Sequence, residues 1–334
     1  MVESGGNRCH QDQVNDMIER AGALASSGNV AGAVEMLQRA EQAGDAGAAR
    51  QLAVWCLSGR WFRRDLAASR ALFGRAAALG DGDAAAVYRA FIANGTGGDA
   101  DWQGALGLLR EAAAHDPAAA DELRLISAMS LTEDGAPQAV PGGSPLTPQA
   151  EVVHFPAFLS ADECAFLMAA ATPLLEPNVV VDPRTGQLVP HPIRTSSGAS
   201  FPLVSESPAI HALNRRIASA SATDVRAGEP LQVLRYAPGE QYRPHLDALP
   251  GVAAAQQRVF TFLVYLNEGY DGGETDFPRL GVRFRGRAGD ALMFRNASAD
   301  GRADERMIHA GLPVGRGVKQ LASRWIRAAP LVYG

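Results

Sequence analysis

The chain has 334 residues, of which 47% are hydrophobic and 20% charged, and its formal net charge is −5. A chain of that length and composition can bury a full core and is expected to form two domains, while its acidity argues against nucleic acid or anionic lipid as a partner. Its three cysteines, Cys9, Cys56 and Cys164, lie far apart and form no C-x-x-C pair, so neither a disulfide framework nor a structural zinc site is indicated.

Residues 1–19 are polar and lack the apolar run of a signal peptide, and no later run has the length of a membrane span, so a cytoplasmic location is expected. From about Gly22 to Met129 the chain is rich in Ala, Leu and Gly at helical spacing and repeats with a period of 36 residues. Gly44-Asp45 recurs as Gly80-Asp81, Gly59 as Gly95, Asp65 as Asp101, and Ala76-Ala77-Ala78 as Ala112-Ala113-Ala114. One unit reads as a helix pair: Ala48 to Leu57, a break at Gly59, a cap at Asp65, and a second helix from Leu66 to Leu79. The pattern resembles the Sel-one-like branch of the tetratricopeptide-type repeats and defines a helical module over residues 1–131. Such arrays recruit partners, but helices of this kind can equally serve only to extend and solubilise their neighbour.

Residues 132–150 hold four prolines and three glycines with almost no large apolar residue and read as an interdomain linker. A second domain, 151–334, then opens with the β-prone run Val152 to Phe158. Ser160-Ala161-Asp162-Glu163 follows as a capping box for a helix through Leu175. A further helix is expected over Pro208 to Ala222. Short β-like runs come next, at Leu231 to Tyr236, Val259 to Leu266, Ala291 to Phe294 and Lys319 to Ile326. Helices followed by many short strands suggest a small barrel or sandwich with helical backing.

The chemistry concentrates around His245 and Asp247. On an extended segment, residues two apart share a face, so an imidazole and a carboxylate would converge on one point. Joined by a second histidine they would form the facial triad that binds non-haem iron(II) and leaves positions open for cosubstrate and dioxygen. His309 is the single histidine remaining downstream of His245. A lone His-x-Asp also fits an exposed strand. Lys319 adds weight: ten residues past His309, across a turn marked by Gly315 and Gly317, a hairpin would aim its ammonium into the same interior. There it could pair with the distal carboxylate of 2-oxoglutarate, each charge-assisted bond contributing about 1.5 to 3 kcal/mol. An edge-strand lysine that blunts aggregation is the competing reading.

With these residues quoted, residues 150 to 330 resemble the prolyl 4-hydroxylases of the 2-oxoglutarate oxygenase superfamily. The blocks carrying the resemblance are Arg194-Thr195-Ser196-Ser197-Gly198, then Leu231 to Tyr236 running on to His245 and Asp247. Tyr265-Leu266-Asn267 with Gly272-Gly273-Glu274-Thr275 follows, then His309-Ala310-Gly311 with Lys319 and Trp325-Ile326-Arg327. The resemblance implies a multidomain α and β chain, with helical hairpin repeats ahead of a double-stranded β-helix, or jelly roll, that is catalytic and backed by helices. It implies Fe(II) on His245, Asp247 and His309, with 2-oxoglutarate, O2 and ascorbate as reductant. Lys319 would grip the cosubstrate, with Tyr236 lining its pocket and Thr261 and Tyr265 beside its distal carboxylate. Tyr242, Arg258 and Trp325 match positions that contact the peptide around a target proline. Each of these aromatics, taken alone, also fits an ordinary core position.

Gln320 departs from the family, where many relatives carry an aromatic, and so does the polar loop Asn296 to Glu305 ahead of His309; both bear on substrate identity. The implied reaction decarboxylates 2-oxoglutarate to succinate and inserts oxygen into a C–H bond of a prolyl residue in a peptide or protein. Alternatives are a free amino acid or small metabolite as target, or a repeat-based scaffold with a non-catalytic metal-binding β domain. Nucleic-acid demethylation fits poorly, because that branch's cosubstrate clamp is an arginine further downstream, where this chain has Ile326.

Overall fold

In a computed structural model of the chain, the structure describes residues 16–140, 142–181, 188–190 and 193–332; Cys9 and most of the polar amino-terminal segment lie outside them. Contacts divide the chain into two units, one running to Leu123 and including Leu203–His211, the other formed by Arg124–Pro202 and Ala212 onward. Among the described residues no helix is long and apolar enough to cross a membrane. Cys56 and Cys164 are buried free thiols.

The first unit is helical: α1 (16–26), α2 (Val30–Gln42), α3 (Ala46–Ser58), α4 (Leu66–Ala78), α5 (Gly82–Asn94) and α6 (Trp102–Ala113), with α7 (Pro117–Ala128) leading out of it. The 36-residue period appears in the caps. The side chains of Asn29, Asp65 and Asp101 accept from Gly32, Ala68 and Gly104 amides at 2.8–3.0 Å, opening α2, α4 and α6. Asp45 and Asp81 do the same for α3 and α5, which close on Gly59 and Gly95 at φ of 62° and 76°. The expected helix pair of one unit is therefore present as α3 and α4. Small buried residues, Ala49, Ala53, Ala76 and Ala84, let neighbouring helices approach around Phe73 and Phe91, and the Ser69 hydroxyl donates to the Ala53 carbonyl at 2.9 Å.

The second unit starts with β1 (Ser144–Pro145) and β2 (Val152–Phe155). The stretch read as a linker thus supplies a short edge strand, where proline's missing N–H is tolerated. The Ser160–Glu163 capping box opens α8 (Ala161–Ala171), which yields to a 3-10 turn over Thr172–Leu174 instead of continuing to Leu175, since Pro173 cannot donate within a helix. Next come β3 (Glu176–Pro177), the hairpin β4 (Val179–Val181) and β5 (Leu188–Pro190), β6 (Ser197–Phe201) and α9 (Pro208–Ser221). The remaining strands are β7 (Leu231–Tyr236), β8 (Tyr242–His245), β9 (Arg258–Tyr265), β10 (Asp271–Gly272), β11 (Thr275–Phe277), β12 (Val282–Phe284), β13 (Ala291–Arg295), β14 (His309–Gly311), β15 (Val314–Arg316) and β16 (Lys319–Arg327).

Two antiparallel sheets carry the architecture, one ordered β1-β2-β13-β9-β16-β7-β6-β3 and the other β12-β11-β14-β8. From β7 to β16 the chain passes repeatedly between them, β7 large, β8 small, β9 large, β11 and β12 small, β13 large, β14 small and β16 large, with β10 and β15 paired apart, in keeping with a double-stranded β-helix. Leu263, Tyr265, Phe277, Leu292, Phe294 and Leu321 fill a shared core drawn from both sheets. The near-continuous apolar run of β9 follows from its central place, flanked by β13 and β16. One expectation fails. The segments of His309 and Lys319 do not form a hairpin: β14 pairs with β11 and β8, whereas β16 pairs with β7 and β9. Pro313 and the glycines at 315 and 317 carry the chain across from one sheet to the other, so the two side chains enter the interior from opposite walls.

Candidate active site

His245 ends β8 and His309 begins β14, and the register sets them directly opposite one another. Cross-strand neighbours hold their side chains about 5 Å apart, and the two rings lie 4.3 Å apart between centroids. Asp247, two residues past the end of β8, turns its carboxylate to both: Oδ1 lies 3.5 Å from His245 Nε2 and Oδ2 3.6 Å from His309 Nε2. The ligand atoms of the three residues all fall within 4.8 Å of one another.

Hydrogen bonding decides which face each ring presents. His245 Nδ1 meets the Arg243 carbonyl at 2.8 Å and His309 Nδ1 meets the Met307 carbonyl at 2.9 Å. A carbonyl only accepts, so both Nδ1 atoms carry the proton and both Nε2 atoms point inward. Burial pushes the His309 imidazole down to about 4, which leaves it neutral and its Nε2 lone pair free. Burial would raise the Asp247 carboxyl, but the neighbouring imidazoles and the Thr261 hydroxyl hold it well below the usual carboxylate range. Two imidazole lone pairs and an anion thus converge on one point, and His245 Nε2 is buried there without a hydrogen-bond partner. Such a set of donors can receive a cation at its centre, and two imidazoles with one carboxylate suit ferrous iron.

A cavity of about 430 Å³, its open mouth included, extends from this cluster. Tyr236, Tyr242, Thr261, Lys319 and Trp325 line it, together with Arg194, Leu234, Leu263, Thr275, Leu321 and Ser323. Lys319 is 2% exposed and donates from Nζ to the Gly273 carbonyl at 2.7 Å, with the Tyr236 and Tyr265 rings 5.4 and 5.5 Å away. A side chain at Gly273 would press on the lysine stem, so this glycine gives the ammonium its berth. Desolvation lowers the lysine to about 8, against partial support from Glu274.

Two expected residues, Thr261 and Arg258, sit otherwise than their motif suggested. Thr261 lies opposite Trp325, six residues along β16 from Lys319, or about 20 Å of strand, and its hydroxyl donates to Asp247 Oδ2 at 2.6 Å. It belongs to the carboxylate of the triad and not to the lysine end. Tyr265 stays at the lysine end, its ring 5.5 Å from Lys319 Nζ and its hydroxyl 2.7 Å from that of Thr275, which faces the cavity. Arg258 stacks 3.7 Å over the ring of the cavity-lining Trp325 and is held by Glu229 at 2.7 and 2.8 Å, so it braces the tryptophan. Tyr242 stacks on the His245 ring at 3.5 Å. Thr275 stood inside a recognised sequence block without an assigned part, and Arg194 likewise. Asn296, 1% exposed and within 2.8 Å of the Thr261 hydroxyl, gave no signal beyond opening a polar loop.

Comparison with known proteins agrees with this geometry. The model of the 2OG-Fe(II) oxygenase superfamily matches residues 231–327, which include all three members of the triad and Lys319. Prolyl 4-hydroxylase 1 of Arabidopsis thaliana is 38% identical over 198 residues, covering 54% of this chain and 69% of that protein. Probable prolyl 4-hydroxylase 10 of the same plant is 33% identical over 202 residues, with the same coverage. Among solved structures, the viral collagen prolyl hydroxylase vCPH from Paramecium Bursaria Chlorella virus-1 aligns at 30% identity over 53% of this chain and 96% of its own, with a TM-score of 0.43.

Proposed function

The chain belongs to the prolyl 4-hydroxylase family of 2OG-Fe(II) oxygenases, and on that premise we propose that it hydroxylates a prolyl residue in a peptide or protein. 2-Oxoglutarate and dioxygen would be consumed, and succinate and carbon dioxide released. The observation that carries this reading is the convergence of His245, Asp247 and His309 at one end of a cavity whose wall also bears the buried ammonium of Lys319.

In this reading the triad holds Fe(II). When bound, the metal supplies the redox chemistry that activates dioxygen and oxidises an otherwise inert C–H bond, using 2-oxoglutarate as the source of electrons. The protein's part is positioning. The Arg243 and Met307 carbonyls lock the imidazoles by their Nδ1–H groups, and Asp247 contributes the charge. Lys319 holds the distal carboxylate of the cosubstrate and Tyr236 borders it. Leu234, Leu263 and Leu321 keep water from the reacting carbon. Tyr242 and Trp325, the latter braced by Arg258, shape the approach of the peptide. Ascorbate would serve as the accompanying reductant.

Incubating the protein with Fe(II), 2-oxoglutarate, ascorbate and proline-containing peptides should yield succinate matched by one added oxygen atom per peptide. Succinate without peptide oxidation would transfer the activity to a smaller substrate, and no succinate at all would leave a metal-binding scaffold. The pH profile gives an independent check. With Lys319 lowered to about 8, kcat/KM for 2-oxoglutarate should hold steady toward pH 7.5 and drop by up to about tenfold per pH unit above pH 8, as the ammonium is lost. An exposed lysine would sustain binding to about pH 10. A profile flat to pH 9.5 would remove Lys319 from cosubstrate binding.

The helical unit resembles Sel-one-like repeats, with caps recurring every 36 residues, and its place in this reading is to recruit the protein that bears the target proline. Deleting residues 1–140 should then lower kcat/KM on a protein substrate much more than on a short peptide. Equal losses on both would make the helices a structural support, in keeping with the packing of Leu203–His211 among them.

A further inference from the structure

Asp247 presents two oxygens to the centre of the site, and a metal held through both would lose one of the positions that cosubstrate and dioxygen need. From the geometry we propose that Asn296 and Thr261 are positioning residues that close one of those oxygens to the metal, so that Asp247 ligates through Oδ1 alone. The inference rests on the iron-site reading above and extends it to the residues that hydrogen-bond the carboxylate of the triad, Thr261 directly and Asn296 through it.

The direction of each hydrogen bond follows from chemistry and needs no sight of a proton. A carboxylate only accepts, so the 2.6 Å contact between Thr261 Oγ1 and Asp247 Oδ2 must use the threonine's one hydrogen. The hydroxyl oxygen is then left with lone pairs alone, and its second buried partner, the Asn296 side chain at 2.8 Å, must donate. Only the amide nitrogen can do so, which also fixes the orientation of the amide. The chain Asn296 Nδ2–H to Thr261 O–H to Asp247 Oδ2 therefore runs one way. Its members are 1%, 1% and 5% exposed, so water is not a ready substitute donor.

The backbone makes the far end of this chain rigid. The Asn296 N–H donates to the Val259 carbonyl at 2.8 Å, tying it to β9, and its own carbonyl accepts from the Asp304 N–H at 2.8 Å. The segment that leaves Asn296 and Asp304 goes on to Met307, whose carbonyl orients His309. The polar loop ahead of His309 thus supports two of the three ligands, the aspartate through a side-chain relay and the histidine through a backbone carbonyl. Oδ1 of Asp247 accepts nothing from this relay and faces His245 Nε2.

The test is Co(II) binding to the metal-free full-length protein, read as an affinity and as the visible ligand-field bands that report coordination number, alongside thermal unfolding without metal. Thr261→Val keeps the shape and removes the donor; it should weaken Co(II) binding about 10- to 100-fold, the range typical of lost outer-shell partners, and shift the bands as the carboxylate turns to use both oxygens. Thr261→Ser should restore both within about twofold. Asn296→Asp keeps the size but draws the threonine proton away from Asp247, so it should reproduce the Thr261→Val bands. Combining it with Thr261→Val should add little further loss in affinity, because the two act in series. Wild-type affinity and bands in Thr261→Val would overturn the relay. Should that variant not fold, unchanged bands in Asn296→Asp would overturn it equally. Failure of the unaltered protein to bind Co(II) would instead bring down the metal-site reading and the relay with it.

Discussion

Replacing His309 or Asp247 with alanine is expected to reduce peptide hydroxylation at least about a thousandfold, beyond the 10- to 100-fold typical of losing an outer-shell partner, because each removes one of the three residues whose ligand atoms converge there. Both variants should also lose stability, each for its own reason. The His309 ring packs between Phe294, 4.6 Å away between centroids, and Phe277, 5.5 Å away, so its removal opens a cavity and should cost about 1 to 3 kcal/mol in the metal-free protein. Asp247 is held as an anion by its neighbours, and removing it leaves the buried Thr261 hydroxyl without its acceptor. Asp247→Ala should therefore also destabilise the metal-free protein, by about 1 to 3 kcal/mol, the cost of a buried donor left unpaired. Circular dichroism melts with chelator present, beside succinate and peptide assays with iron, separate these effects. Hydroxylation within tenfold of the unaltered protein in either variant would end the assignment of these residues as iron ligands.

The second large effect is expected from Lys319→Met, which keeps much of the side chain's volume and deletes its charge. The Michaelis constant for 2-oxoglutarate should rise about 10- to 150-fold, the equivalent of about 1.5 to 3 kcal/mol for a charge-assisted bond in a buried setting. Affinity for Mn(II), measured without cosubstrate, should stay within about twofold, since Lys319 contributes nothing to the triad. Arginine is not a conservative substitute. The ammonium is seated on the Gly273 carbonyl between two tyrosine rings, and a planar guanidinium would have to displace one of them. A metal affinity that falls in step with 2-oxoglutarate affinity would assign Lys319 a structural part in the centre itself.

Both predictions concern residues that were legible before any coordinates. His245 and Asp247 are two apart on a strand-like run, and chain connectivity alone guarantees that they are close. Lys319 interrupts an apolar strand, a costly choice that asks for a reason. Helix starts and stops were legible for the same local reason: Asp65, Gly59 and the Ser160–Glu163 box act within one turn of where they stand. The strands over Leu231–Tyr236 and Arg258–Tyr265 follow from runs of apolar residues too short for a helix and bounded by turn-forming residues.

Pairings between distant segments were not legible. The spacing of His309 and Lys319 suits a hairpin, but the interior is enclosed by two sheets, and each segment pairs where its hydrogen bonds and buried face are satisfied together. Thr261 and Tyr265 share a strand face, yet that face runs the length of the cavity, so one meets Asp247 and the other backs onto Thr275 near Lys319. The sequence alone determined which atoms could bind iron and grip a dicarboxylate, since ligand chemistry resides in residue type and short spacing. Which oxygen of Asp247 is closed off, which residues wall the cavity and which merely brace it were decided by strand register and hydrogen-bond direction. Those depend on contacts between residues up to 35 positions apart in the relay, and 64 across the paired histidines, for which the chain carries no local signal.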